Sequence, residues 1–194
     1  MDGGWDERIM SAVAEHRTGG ATAVANLVMD AGMSSMVLAI ITLIALLVVV
    51  WRRPYRLALA AGLSWGLAAL VVQLLKPVFG RARPPSDLAL VTSSSPSFPS
   101  THAAMTSAIA VAVLLTCAWS TRRRAAAATA VLLALVVFAG VCMVYLGAHW
   151  PSDVLAGWAL GSVIGGSLGL VLRRRTDTTP PVSPAPVPKQ ASHG

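Results

Sequence analysis

Five apolar runs set the rhythm of the chain, at about residues 34–51, 55–75, 103–119, 125–146 and 153–172. Each has the roughly 17–25 residues that a helix needs to cross a bilayer core. Residues 1–33 read differently. Ile9, Ala12 and Val13, then Ala21, Val24, Ala25, Leu27 and Val28, recur at helical spacing and are interrupted by Arg17-Thr18-Gly19-Gly20. That pattern predicts two short amphipathic helices on or dipping into the membrane surface. Between the second and third runs, residues 76–101 form a polar loop with Pro84-Pro85 and Ser93-Ser94-Ser95-Pro96. A loop of that length in a compact domain usually carries function or is disordered. Residues 176–194 hold five prolines and little to bury, and read as a disordered tail. The predicted organisation is an interfacial segment (1–33), a transmembrane domain (34–175) and a tail (176–194). The fold class is an all-α polytopic membrane bundle of five spans, six if the N-terminal segment supplies one.

Composition agrees with this pattern. Hydrophobic residues make up 55% of the 194 and charged residues 12%, about half the charge of a soluble domain. The net charge of +7 does not describe a nucleic-acid surface. The arginines sit in clusters at the ends of apolar runs: Arg52, Arg53 and Arg56; Arg122 to Arg124; Arg173 to Arg175. Such clusters mark cytoplasmic loops of a plasma-membrane protein. They follow the first, third and fifth spans, as strict alternation requires. The C-terminus is then cytoplasmic, and the loops 76–101 and 147–152 lie on the extracytoplasmic side. The N-terminal segment, with five acids against two arginines, belongs there too. Its acidic start is not the basic opening of a cleavable signal peptide. Cys117 and Cys142 fall inside apolar runs and read as small core residues.

Gly157, Gly161, Gly165 and Gly169 recur every fourth residue in the last span. They leave one helix face bare for close approach. The stripe serves packing within the chain or, as the sharper alternative, a seam between two copies of it.

The polar residues that carry chemistry fall in three short segments. His149 precedes Pro151, which suits the first turn of a helix. Asp153 lies four residues on, where a carboxylate can hold one ring nitrogen and leave the other free to attack. A His–Asp pair of this kind also caps helices, but His102 adds a second histidine at a helix mouth. It closes Pro99-Ser100-Thr101-His102, where backbone N–H groups form a ready anion site. Ser100 can add a hydroxyl there, and His102 can give a proton to a leaving oxygen. Lys76, Arg81 and Arg83 supply positive charge, and Pro84-Pro85 stiffens the backbone beside Arg83. A fixed guanidinium grips phosphate through two parallel bonds. Asp87 and Asp153 are the only acids between residue 33 and the tail. No acidic cluster for a metal is expected, and no cofactor.

In these three segments the chain resembles the type 2 phosphatidic acid phosphatase superfamily. That family's signature is Lys-x6-Arg-Pro, Pro-Ser-Gly-His and Ser-Arg-x5-His-x3-Asp. Here it reads Lys76, Arg83 and Pro84; Pro99, Ser100, Thr101 and His102; and His149 with Asp153. The resemblance covers about residues 55–172. It implies a membrane lipid phosphatase in which His149 forms a phosphohistidine, Asp153 orients it and His102 protonates the leaving group. Lys76, Arg83, Ser100 and the Thr101 amide would hold the phosphoryl oxygens, without a metal. Two positions depart from the pattern. Thr101 stands where the family has Gly, and Cys142-Met143 stands where it has Ser-Arg. Arg81 is the cation placed to compensate for the missing arginine.

The expected substrate is a lipid phosphate: a polyprenyl diphosphate, phosphatidylglycerol phosphate, phosphatidic acid or a polyprenyl-phosphate sugar phosphate. Met143 keeps a non-catalytic lipid-phosphate binder as the alternative. The soluble vanadium haloperoxidases that share this signature do not fit five bilayer-length runs. A transporter would carry charges within its spans, and none lies in the apolar cores here.

Overall fold

The computed structural model describes residues 4–33 and 55–174. Its helices are α1 (Trp5–Glu15), α2 (Gly19–Met33), α3 (Tyr55–Phe79), α4 (Thr101–Thr116), α5 (Arg122–Tyr145) and α6 (Pro151–Arg174), and no strand occurs among the described residues. The expected span at 34–51 and the tail at 176–194 lie outside the described residues. Helices α3, α5 and α6 are long and apolar enough to cross a membrane.

Helix α4 is shorter than the run 103–119 implied. Its 16 residues rise about 24 Å, less than the roughly 30 Å of a hydrocarbon core. Local chemistry sets both ends. The Ser100 hydroxyl accepts from the Ala103 N–H at 3.4 Å and starts the helix two residues before the apolar run. At the other end Cys117 turns extended, and the Trp119 indole N–H donates to the Leu114 carbonyl at 3.0 Å. Helix α3 runs longer than expected, through Pro77 to Phe79. Gly80 then closes it at φ +57°, its N–H bonded to the Lys76 carbonyl at 2.9 Å. That left-handed position favours glycine.

The bundle is built with small residues inside and large ones outside. Helix α3 buries Ala60, Ser64, Ala68, Val72 and Lys76, one residue every turn, while Leu59, Leu63, Leu70 and Leu74 remain exposed. Small inner faces let helix backbones come close where lipid gives no hydrophobic drive to associate. The four-glycine stripe of α6 does the same against α4. A Cβ on Gly161 or Gly165 would run into the carbonyl oxygens of Ala104 or Ala108. The stripe is therefore filled from within the chain, not left open as a seam for a second copy.

Helices α1 and α2 fold over the end of the bundle where α5 finishes. Their elbow is pinned there by Arg17, which donates to the carbonyls of Tyr145 at 2.9 Å and Leu88 at 2.7 Å. The Thr18 N–H adds a bond to the Tyr145 hydroxyl at 2.9 Å. Ala25, Val28 and Met29 of α2 pack on Cys142 and Leu146.

Candidate active site

The three polar segments meet at one end of the bundle. The Ser100 N–H donates to the Asp153 carbonyl at 3.0 Å, joining the first turns of α4 and α6. The Trp150 indole N–H reaches the Ala82 carbonyl at 2.9 Å, and the Leu90 N–H reaches the Leu146 carbonyl at 2.8 Å. Residues 80–100 are thus stitched to the 146–150 turn. That turn depends on Gly147, at φ +73°, where a Cβ would stand 2.6 Å from the Leu88 carbonyl oxygen.

His149 is 4% exposed and Asp153 fully buried. The His149 Nδ1 lies 3.5 Å from Asp153 Oδ2, longer than a formed N–H···O bond. The aspartate is held in place by other donors. Its Oδ2 accepts from the Trp150 N–H at 2.9 Å, so the third residue of α6 reaches back to cap its own helix. Its Oδ1 accepts from Arg81 Nη1 at 2.7 Å. Burial lowers the His149 pKa below the ordinary imidazole value. Asp153 opposes that shift, and Arg83 and Lys76 reinforce it.

Lys76 ends the buried stripe of α3 and donates to the Pro96 carbonyl at 2.9 Å. Arg83 bonds to the Ser95 carbonyl at 2.9 Å, to the Ser95 hydroxyl at 3.1 Å and to the Ala148 carbonyl. His102, in the first turn of α4, is within electrostatic reach of His149, Lys76 and Arg83. Thr101 opens the same turn. All eight residues singled out from the sequence therefore gather at this end. Among the described residues, no three His, Cys, Asp or Glu side chains form a group able to hold a metal.

Three features were not visible in the sequence pattern. Arg81 gives Nη1 to Asp153 and Ser152 and Nη2 to Asp6 Oδ2 at 2.6 Å, so both terminal nitrogens serve protein groups. Its guanidinium also stacks 5.4 Å above the Trp150 ring. Asp6 arrives from α1, with no motif to announce it. Met143 is 2% exposed, packed among Ala103 and Val154, and its sulfur accepts from the Ser100 hydroxyl at 3.6 Å. At the place of the third-motif arginine the chain has a sealed apolar contact.

Comparison with known proteins supports the fold. The profile of the PAP2 superfamily matches residues 57–177. An undecaprenyl-diphosphatase of Sulfolobus acidocaldarius is 31% identical over 126 residues, 61% of this chain and 56% of that protein. The match thus spans little more than half the length of that relative. The crystal structure of the first transmembrane PAP2-type phosphatidylglycerolphosphate phosphatase from Bacillus subtilis has a TM-score of 0.73 at 25% identity, covering 92% of this chain and 87% of that one. Aquifex aeolicus LpxE shares the fold at a TM-score of 0.66 and 21% identity, over 89% and 97% of the two chains.

Proposed function

Because the chain belongs to the PAP2 superfamily, we propose that it is a membrane lipid-phosphate phosphatase working through a phosphohistidine on His149. The observation that carries this is the buried His149–Asp153 pair, set among Lys76, Arg83 and His102 at one end of an apolar bundle. In this reading the His149 Nε2 lone pair forms a bond to phosphorus while the bond to the leaving oxygen breaks. His102 gives that oxygen its proton, and then takes one from the water that hydrolyses the N–P bond. Asp153 balances the positive charge that appears on the imidazole ring. Lys76, Arg83 and the Thr101 amide hold the phosphoryl oxygens, and the Ser100 hydroxyl joins them by turning from the Met143 sulfur, so fixed charge and a helix start replace a metal.

The substrate is a lipid phosphomonoester or diphosphate: a polyprenyl diphosphate, phosphatidylglycerol phosphate, phosphatidic acid or a polyprenyl-phosphate sugar phosphate. An apolar groove between α4, α5 and α6, lined by Val111, Leu114, Val136 and Trp158, offers a bed for the lipid chain. The site faces outward and the C-terminus is cytoplasmic. Supporting this, Arg122 to Arg124 and Arg173 lie at the helix ends away from the site. Trp5 and Ile9 on the exposed face of α1 suit the interface on the site's side.

The alternative is a protein that binds lipid phosphate without turning it over, and the buried Met143 favours it. Phosphate release by the purified protein in detergent, with chelator and a panel of the four lipids, decides between them. Release that survives chelator and is lost in His149→Ala supports the phosphatase. Binding without release from any of the four supports the alternative.

A further inference from the structure

Helix α1 turns one acid inward. Asp6 is 8% exposed, whereas its neighbours Trp5 and Glu7 are exposed. Docking the helix does not require a carboxylate. Met10, one turn on, is fully buried and meets the bundle with an apolar side chain. A carboxylate taken from water is costly unless its oxygens are satisfied. Asp6 satisfies both: Oδ1 accepts from the Ser152 N–H at 2.9 Å, and Oδ2 accepts from Arg81 Nη2 at 2.6 Å and from the Ser152 hydroxyl. The same guanidinium gives Nη1 to Asp153 Oδ1 at 2.7 Å, and the other oxygen of Asp153 faces His149. One continuous path thus runs from α1 through Arg81 and Asp153 to the imidazole.

We propose that Asp6 is a positioning residue of the hydrolytic site, fixing Arg81 so that Asp153 keeps one oxygen facing His149. The proposal rests on the reading of His149 as the nucleophile. Two physical effects follow. With Asp6 present, Arg81 is shared between two carboxylates on its two nitrogens. Without it, both nitrogens are free to chelate Asp153 side-on, the geometry a guanidinium prefers, which draws Oδ2 away from the ring. The second effect is charge. Asp6, Arg81 and Asp153 together carry one net negative charge, facing the cations Lys76 and Arg83 and the second histidine, His102, across His149. Removing Asp6 cancels that charge and disfavours the imidazolium.

The experiment compares Asp6→Asn, Asp6→Glu and Met10→Ala in the full chain in detergent. The readouts are steady-state phosphate release, thermal unfolding and the titration of His149 followed by NMR of the imidazole, assigned by its loss in His149→Ala. Outer partners that orient metal-binding histidines matter by about ten- to hundredfold; by the same orienting role, Asp6→Asn is expected to lower kcat by roughly that factor. KM stays within about twofold. The His149 titration moves to lower pH in Asp6→Asn and stays near the wild-type position in Asp6→Glu, which keeps the charge. Met10→Ala loosens α1, lowers the unfolding temperature and leaves the titration in place. The proposal is overturned if Asp6→Asn titrates as wild type does, or if Met10→Ala reproduces its shift. A wild-type protein that releases no phosphate from any lipid would remove the hydrolytic reading, while the titration would still decide whether Asp6 reaches His149.

Discussion

Arg81 Nη1 donates to Asp153 Oδ1 at 2.7 Å across a sequence separation of 72 residues. The acid opposite His149 is therefore held by a cation of the first polar segment. Arg83, two residues further on, turns to Ser95 and Ala148 instead. Two arginines of one short segment thus have different surroundings and should fail differently.

Arg81→Ala leaves two buried carboxylates without their shared cation, and kcat should fall by about a hundredfold with little change in KM. Arg81→Lys should not restore it, because one ammonium cannot reproduce the planar fork that spans both acids. Arg83→Ala should raise KM as well. Steady-state kinetics on the preferred lipid separate the two patterns. An Arg81→Ala protein with unchanged kcat would show that the guanidinium matters neither to Asp153 nor to phosphate.

Burial depresses the His149 pKa, with Arg83 and Lys76 adding to the effect. The neutral ring, the form that the proposed attack on phosphorus needs, then persists as pH falls through about 6.5, the ordinary histidine value. The acid limb of kcat/KM should lie below that pH. Stability should follow the same sign. Below about pH 6.5 the unfolded chain binds the proton first, so stability is complete above that value and declines as pH falls towards the folded pKa. A pH–rate profile and unfolding measured across the same range check both statements.

Restoring the family's arginine by Met143→Arg should harm the protein. The side chain at 143 is sealed between Ala103 and Val154, and an unpaired charge buried there costs several kcal/mol. Lower folded yield and slower phosphate release are expected. Faster release would mean that the pocket opens towards the phosphate.

The glycines of α6 should respond to alanine with opposite signs. At Gly165 a Cβ would press into the Ala108 backbone, an overpacking worth about 1–3 kcal/mol. At Gly166 the nearest atom, Val111 Cγ1, would be 3.9 Å away, and helix propensity favours Ala by about 1 kcal/mol. Thermal unfolding in detergent should show Gly165→Ala below wild type and Gly166→Ala at or above it.

Hydropathy made α3, α5 and α6 legible in the sequence because a membrane span is a property of contiguous residues. The signature residues were legible for a related reason. Lys76 to Arg83, Pro99 to His102, and His149 to Asp153 are fixed local spacings that a helix end or a short turn brings into register. The extent of α4 was not legible from hydropathy, since the Ser100 cap and the Trp119 side chain set its ends rather than its apolar content. Asp6, Ser152 and the burial of Met143 were hidden as well. Each depends on a partner 43 to 146 residues away, and no period or spacing in the chain encodes such a meeting.

The contact between α4 and α6 also limits how a substrate arrives. At Gly157, Gly161 and Gly165 the backbone of α4 lies directly against α6, and at Gly169 the Leu115 side chain covers the gap. No passage the width of a hydrocarbon tail exists on that flank. A molecule diffusing in the bilayer plane finds that side shut and must approach from another quarter. The wall is thus closed where the chain omits side chains, and α5 continues it at the helix starts that carry the two histidines, through Gly140 beneath Trp158 and Met143 against Ala103.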